Sequence, residues 1–393
     1  MIGQDRCCGG GISRRDLLRW AVVGASAWVA EPALAFGAVS DSSVPNGRKI
    51  LEEATDRTPD WIRRYAAGKD NPWAVMHGVR AIGSGFSAAG LPAVDFLCSH
   101  FLKEKEVGAE RYLYMPTEIE AHTDTFLKTL LEAGVGVSRP IVAGGRQRTV
   151  GELVASAKKL FSLDRVKKDR DDLAWSLIAL SITTRPEDEG WTNALGERIR
   201  FREVVQFAFD TAEWASASFS STMKRGAMPS WKDRISNFTC GGTHLVYSLA
   251  VAVRYGHLGK EGRQRLAQQL DLLTWRIKAD LYLHDQYFEL LAKATPAAGE
   301  ARKLYHLDAG LKFLGHCAEV FRYARIHRLY APSRSQEAQI RWGEEMLGVA
   351  LSDVLKVNMD SILKEDRTLA NLLLSDVCHA YHGLKLVKGI KPT

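Results

Sequence analysis

From residue 48 onward, almost every long segment of this chain repeats its apolar residues at three- and four-residue steps, and runs of alternating β-branched residues are nearly absent. That pattern commits the chain to helices. The clearest periodic segments run from Arg200 to Met223, Thr243 to Tyr255, Glu261 to Ala294, Ala301 to Tyr330 and Thr368 to Val387. Thr149 followed three residues later by Glu152 reads as a capping box opening another helix. The best strand candidate, Arg111 to Met115, is short. Loops bearing Gly or Pro, such as Ala143-Gly144-Gly145-Arg146 and Thr184-Arg185-Pro186, then join about a dozen helices. No sequence period of a helical repeat array stands out, and no linker composition marks a boundary. With 46% apolar residues the chain can fill a sizeable core, so we expect an all-α protein with one helical domain over residues 48–390.

Gly-rich helix entries next to histidine occur at Gly241-Gly242-Thr243-His244 and at Gly315-His316. They resemble the loop-to-helix entries of α/α-toroid proteins, the group that includes terpenoid cyclases, lanthionine cyclases and several polysaccharide lyases. The resemblance implies a barrel of helical hairpins over most of the domain. The Asp-rich D-x-D-D-T-type acid motif of squalene-hopene cyclases and the paired Cys-His zinc motif of lanthionine cyclases are both missing. Architecture is therefore implied and chemistry is not.

The first 38 residues read as an export signal. Ser13-Arg14-Arg15-Asp16-Leu17-Leu18 precedes a mild apolar run from Trp20 to Ala30, and Pro32-Ala33-Leu34-Ala35 offers an A-x-A cleavage site. The arginine pair resembles the bacterial twin-arginine signal, which implies recognition of Arg14 and Arg15 by that export machinery and release near Ala35 into the periplasm or beyond. The apolar run, closed by Glu31 and Pro32, is shorter than the roughly 18 residues a membrane anchor needs, so no stable anchor is expected. Cys7 and Cys8 leave with the signal. Cys98, Cys240, Cys317 and Cys378 remain, widely spaced and without C-x-x-C pairs, and are expected as thiols rather than a disulfide framework.

Net charge is +7, but the basic residues are dispersed among acidic ones, which argues against nucleic acid and allows an anionic or polymeric substrate. No phosphate loop, nucleophile elbow, H-E-x-x-H or EF-hand motif is present. No cofactor and no metal are expected. A zinc site drawn from Cys240, His244, His316 or Cys317, and His379 is the alternative.

The chemistry-bearing candidates are histidines in unusual settings. In Cys240-Gly-Gly-Thr-His244-Leu-Val-Tyr247 the glycines let backbone approach a ligand, and the helix start favours a neutral, proton-accepting His244, with Tyr247 a turn further on. Such a pair suits β-elimination from an acidic sugar, with Asn237 or an Arg neutralising the carboxylate. His316 and Glu319 are three residues apart in an apolar stretch, and Asp376, His379 and His382 share one helical face. Trp73 with His77, and Glu118 with His122 at i, i+4, form further pairs that offer an aromatic and polar binding surface. We expect His244, Tyr247, His316, Glu319, Asp376 and His379 to be catalytic, and Trp73, His77, His122, Asn237 and His382 to bind substrate. The implied protein is an exported enzyme acting on a polysaccharide or cell-envelope polymer by His/Tyr acid–base chemistry. The alternative is a cofactor-free envelope binding or scaffold protein whose histidines are structural. Convergence of the histidines in one cavity separates the two.

Overall fold

The computed structural model describes residues 44–385, apart from 234, 236–237 and 296–298. Arg14, Arg15, the cleavage region at Ala35 and Asn237 lie outside the described residues. Among the described residues there are fourteen α-helices and four two-stranded antiparallel hairpins, so the chain is mostly α. No described helix is long and apolar enough to cross a membrane.

Helix α1 (Gly47–Ala66) is followed by α2 (Pro72–Ile82) and α3 (Ala93–Phe101). Asn71 starts α2 by accepting a hydrogen bond from the amide of Ala74, and Pro72 sits where no amide is needed. Next come α4 (Thr125–Glu132), α5 (Val150–Leu160), α6 (Leu163–Lys168) and α7 (Leu173–Thr183). The longer helices occupy the rest of the chain: α8 (Phe201–Lys224), α9 (Thr243–Arg254), α10 (Gly259–Ala294), α11 (Gly299–Ile326), α12 (Arg334–Val354), the short α13 (Met359–Glu365) and α14 (Arg367–Lys385). The capping box at the start of α5 is present, with the Thr149 amide donating to Glu152 at 2.7 Å and the Glu152 amide donating to Thr149 Oγ1 at 3.2 Å.

Six helices form a closed cycle. α2 packs on α4, α4 on α7, α7 on α9, α9 on α11, α11 on α14, and α14 returns to α2. The other long helices alternate with these along the chain, α8 packing on α9 and α10, and α12 on α1, α10 and α11. Burial separates the two sets. Every residue from Leu173 to Ser181 in α7 and from Thr243 to Val253 in α9 is buried, which a helix achieves only with neighbours all round. In α8 the buried residues recur as Val204, Val205, Ala208 and Ala212, a single stripe.

The closest crossing in the cycle is α11 against α14. A methyl group added at Gly383 would stand 2.6 Å from the amide nitrogen of Glu319, and one at Gly315 would stand 3.1 Å from the amide nitrogen of Ala380. A side chain at Gly383 would force the two backbones apart, and one at Gly315 would crowd them. This approach brings His316 and Glu319 against His379 and His382.

One loop expectation is corrected, and the one expected strand is present. Ala143-Gly144-Gly145-Arg146 is the turn of a hairpin pairing residues 140–143 with 146–149, where φ of +57° and +72° at the glycines gives the twist that a two-residue hairpin requires. The expected strand at Arg111 is Glu110–Tyr114, and it pairs with Lys103–Val107, a polar segment whose composition hides its strand character.

Candidate functional site

A cavity of about 50 Å³ lies among the six cyclic helices. Trp73 and His77 reach it from α2, Lys128 from α4, Trp175 from α7, His244 from α9, His316 from α11, and Asp376 and His379 from α14. Its rim is half-buried, formed by Trp73, His122, Cys240, Lys312 and Leu372. The volume suits a few waters, or one ion with a water, and is far below the roughly 300–1,000 Å³ of pockets that engulf larger ligands.

The imidazoles converge. The ring centroids of His244 and His316 are 4.2 Å apart, those of His316 and His379 4.2 Å, and those of His77 and His379 5.4 Å. Beneath them Glu319 holds three imidazoles and a guanidinium. Its Oε2 accepts from Nδ1 of His316 and of His379, each at 3.1 Å. Its Oε1 accepts from Nδ1 of His382 at 2.7 Å and from Nε of Arg80 at 3.0 Å. Burial works to raise the Glu319 carboxyl, but Arg80 and the hydrogen-bonded imidazoles overcome it and hold the group well below the usual carboxylate range. A carboxylate only accepts, so the three imidazoles donate from Nδ1 and, being neutral, keep their lone pair on Nε2. Burial is the first cause of that neutrality at each of the three.

His244 differs. Neither of its ring nitrogens is hydrogen-bonded among the described residues, and its ring packs 5.0 Å from Trp175. Burial first, and then the imidazoles of His316 and His379, depress its pKa well below the ordinary value. The sequence argument assigned that depression to the helix start; the structure assigns it to burial and neighbouring rings.

The approach to His244 is unusual in its backbone. Cys240, Gly241 and Gly242 are all left-handed, with φ of +52°, +62° and +75°. For Cys240 this conformation costs about 1–2 kcal/mol relative to a right-handed residue. Outside contacts hold the turn in place. The Gly241 carbonyl accepts from the Arg276 guanidinium at 2.9 Å, and Asp171 accepts from the amide and hydroxyl of Thr239 at 2.7 and 2.6 Å. The next residue, Asp172, accepts from the amide and hydroxyl of Thr123 at 2.7 and 2.6 Å, so neighbouring aspartates tie down the two loops that carry Cys240 and His122.

Charged groups surround the imidazoles on two sides. Arg80 is ion-paired with Glu132 as well as Glu319, and Lys128 Nζ lies 3.4 Å from Glu132. Burial, and then Arg80, lowers Lys128 to about 8. Across the cavity, burial raises Asp376 well above the usual range, with Lys312 opposing and Asp308 reinforcing that rise. Glu120, also buried, is pushed up to about 7 by burial.

Of the residues singled out from sequence, Trp73, His77, His122, His244, His316, Asp376 and His379 line one cavity. Trp73 and His77 share a face as expected, with ring centroids 4.1 Å apart. The others are placed differently. Glu319 and His382 form the layer beneath, so their roles are to position other groups rather than to touch a ligand. Tyr247 lies beside Glu132 with Arg80 over its ring at 5.7 Å, one layer away from the cavity. Cys317 faces Arg276 and Asp280 on the other side of α11. The helical pairing of Glu118 with His122 is corrected. Residues 117–124 form turns, Glu118 is exposed, and Glu120 occupies the cavity wall instead. Sequence reasoning missed Lys128 and Arg80, although a lone cation inside an apolar helix was a visible signal in each case. It missed Trp175 because a Trp in an unbroken apolar run has no distinguishing mark.

Comparison with known protein families, with curated proteins and with solved structures finds no match.

Proposed function

We propose that this protein is an exported helical enzyme that performs proton transfer on a small polar or anionic group, either free or carried on a polysaccharide or cell-envelope polymer. The observation that carries the reading is the convergence of His244, His316 and His379 in one cavity, with His244 left without a hydrogen bond among the described residues. A buried, unprotonated imidazole without a partner is placed to accept a proton. Lys128 and Lys312 on the cavity wall would neutralise an anionic group beside it, the part expected of Asn237 or an Arg. The small volume narrows the substrate to a single side group entering past Trp73 and Lys312. The closed cycle of six helices, with the remaining long helices alternating outside it, supports the α/α-toroid reading of the architecture.

The scaffold reading has one observation in its favour. Glu319 explains three of the histidines, His316, His379 and His382, as donors to one structural carboxylate. It leaves His244 unexplained. Incubation of the purified protein with uronic-acid polysaccharides, followed by ultraviolet detection of a newly formed conjugated double bond, decides between them. The expected result is product from the parent protein and a fall of at least about a hundredfold in His244→Ala. No product from any such polymer, or equal product from the variant, overturns the enzymatic reading in favour of the scaffold.

Export is tested separately. Replacement of Arg14 and Arg15 together by Lys should strand the protein in the cytoplasm, because a point charge does not reproduce the guanidinium pair. Undiminished periplasmic protein in that variant removes the twin-arginine assignment.

A further inference from the structure

We infer that Cys240, His244 and His316 bind one divalent transition-metal ion of the zinc class at the mouth of this cavity. The thiol sulfur and one ring nitrogen from each histidine all lie within 4.8 Å of one another. Tetrahedral zinc, with metal–sulfur bonds near 2.3 Å and metal–nitrogen bonds near 2.0–2.1 Å, spaces such donors about 3.3–3.7 Å apart, so a contraction of roughly 1 Å closes the site. One thiolate and two imidazoles form a donor set of intermediate softness, which selects zinc-like ions over calcium or magnesium.

Two further observations point to a ligand. His316 donates its Nδ1 proton to Glu319, which fixes the ring and leaves the Nε2 lone pair available, the carboxylate–histidine pairing that orients metal-binding imidazoles. His379 is held by the same carboxylate oxygen, and its ring centroid is 4.2 Å from that of His316, so it stands beside the three donors. Cys240 adopts a left-handed backbone, φ +52°, ahead of two left-handed glycines. Glycine would occupy that position without strain, so the turn bears a conformational cost to carry a thiol at the mouth of the cavity. Three protein donors with a cavity beyond them make an open coordination position, the arrangement of a catalytic rather than a purely structural site. The half-buried Cys240 on the rim gives the ion its way in.

The inference shares the cavity of the proton-transfer reading and does not require it. With an ion bound, His244 would serve as a ligand and the ion would supply a hydroxide, formed by loss of a proton from water, as the proton acceptor. With none, His244 is itself the acceptor. Metal binding without turnover therefore leaves this inference standing and removes the other, and turnover by metal-free protein does the reverse.

The test uses the full chain, stripped with a chelator and titrated with Zn²⁺ by calorimetry and with Co²⁺ by absorption spectroscopy. The expected result is about one ion per chain, with a sulfur-to-cobalt charge-transfer band and the visible bands of four-coordinate cobalt. Cys240→Ser should abolish the charge-transfer band, and His244→Ala and His316→Ala should each weaken binding by at least about tenfold. Cys317→Ser should change nothing. A Cys240→Gly variant guards against misfolding, since without metal it should unfold at a higher urea concentration than the parent while binding no ion. Folded parent protein that takes up no Zn²⁺ or Co²⁺, or a charge-transfer band that survives in Cys240→Ser, overturns the inference.

Discussion

Glu319 and Glu120 are buried glutamates at the same site, yet their surroundings drive them in opposite directions. Glu319 has Arg80 and three imidazole N–H groups and is held ionised. Glu120 has the backbone N–H of His122 at 3.3 Å and the Trp73 side chain as donors and Lys128 as an opposing charge, yet burial outweighs them and pushes it up to about 7. The floor of the site is therefore organised around one ionised carboxylate, whereas burial pushes the carboxyl groups of Glu120 and Asp376 in the wall above it toward their neutral form. The difference teaches which of the many buried polar groups are structural and which are available for chemistry.

Breaking the floor should have the largest effect. Glu319→Ala strips Arg80 and three imidazoles of their common acceptor, and should cost about 3–5 kcal/mol in urea unfolding, the usual loss when one member of a buried charged network is removed. A loss below about 1 kcal/mol would mean that the floor is not a network at all.

The wall should respond with the opposite sign. The Glu120 carboxyl is raised from its ordinary value to about 7 in the folded state, so ionising it works against folding. That penalty is absent below about pH 4.5, grows as pH rises, and is complete above about pH 7. Lys128 on α4 eases it and Asp172 adds to it. Glu120→Gln should therefore stabilise the protein by roughly 2–3 kcal/mol at pH 8, with the gain fading toward nothing near pH 4. Unfolding curves of the two proteins at both pH values check this, and an equal difference at the two would refute it.

The smallest effects come from a direct contrast between imidazoles. His379→Ala removes one donor from Glu319 and should cost about 1–3 kcal/mol, whereas His244→Ala removes a ring with no hydrogen bond and should cost less than about 1 kcal/mol. Reversal of that order in chemical denaturation would place His244 in the structural network and His379 outside it.

Much of this site was legible in the sequence, and the reasons are local. Helical spacing put Asp376, His379 and His382 on one face, and put His316 beside Glu319, because i, i+3 geometry needs no tertiary knowledge. The glycine pair before His244 marked a helix entry, which is where it occurs. The limits are equally physical. Helical spacing could not show that His382 turns to Glu319 while His379 also faces the cavity, since the packing partner decides that. The segment at Glu118 carried a helical spacing but turns instead, held through Asp172 just before α7, a contact invisible to local pattern. Apart from the strand at Arg111, the hairpins escaped because strands of two to five residues carry too little periodicity to register.

The closed cycle of helices also has a consequence for the order of events during synthesis. The cycle is complete only when α14 docks on both α11 and α2, and the Arg80–Glu319 contact joins residues 239 positions apart. Contacts of such separation form late, after a large loss of chain entropy. The chain can therefore build α2 through α10 without a cavity, and the ligand-accepting wall appears only once residues near His379 have emerged and found their place. Under the export proposed above, the appearance of the site would be the molecular sign that folding is finished.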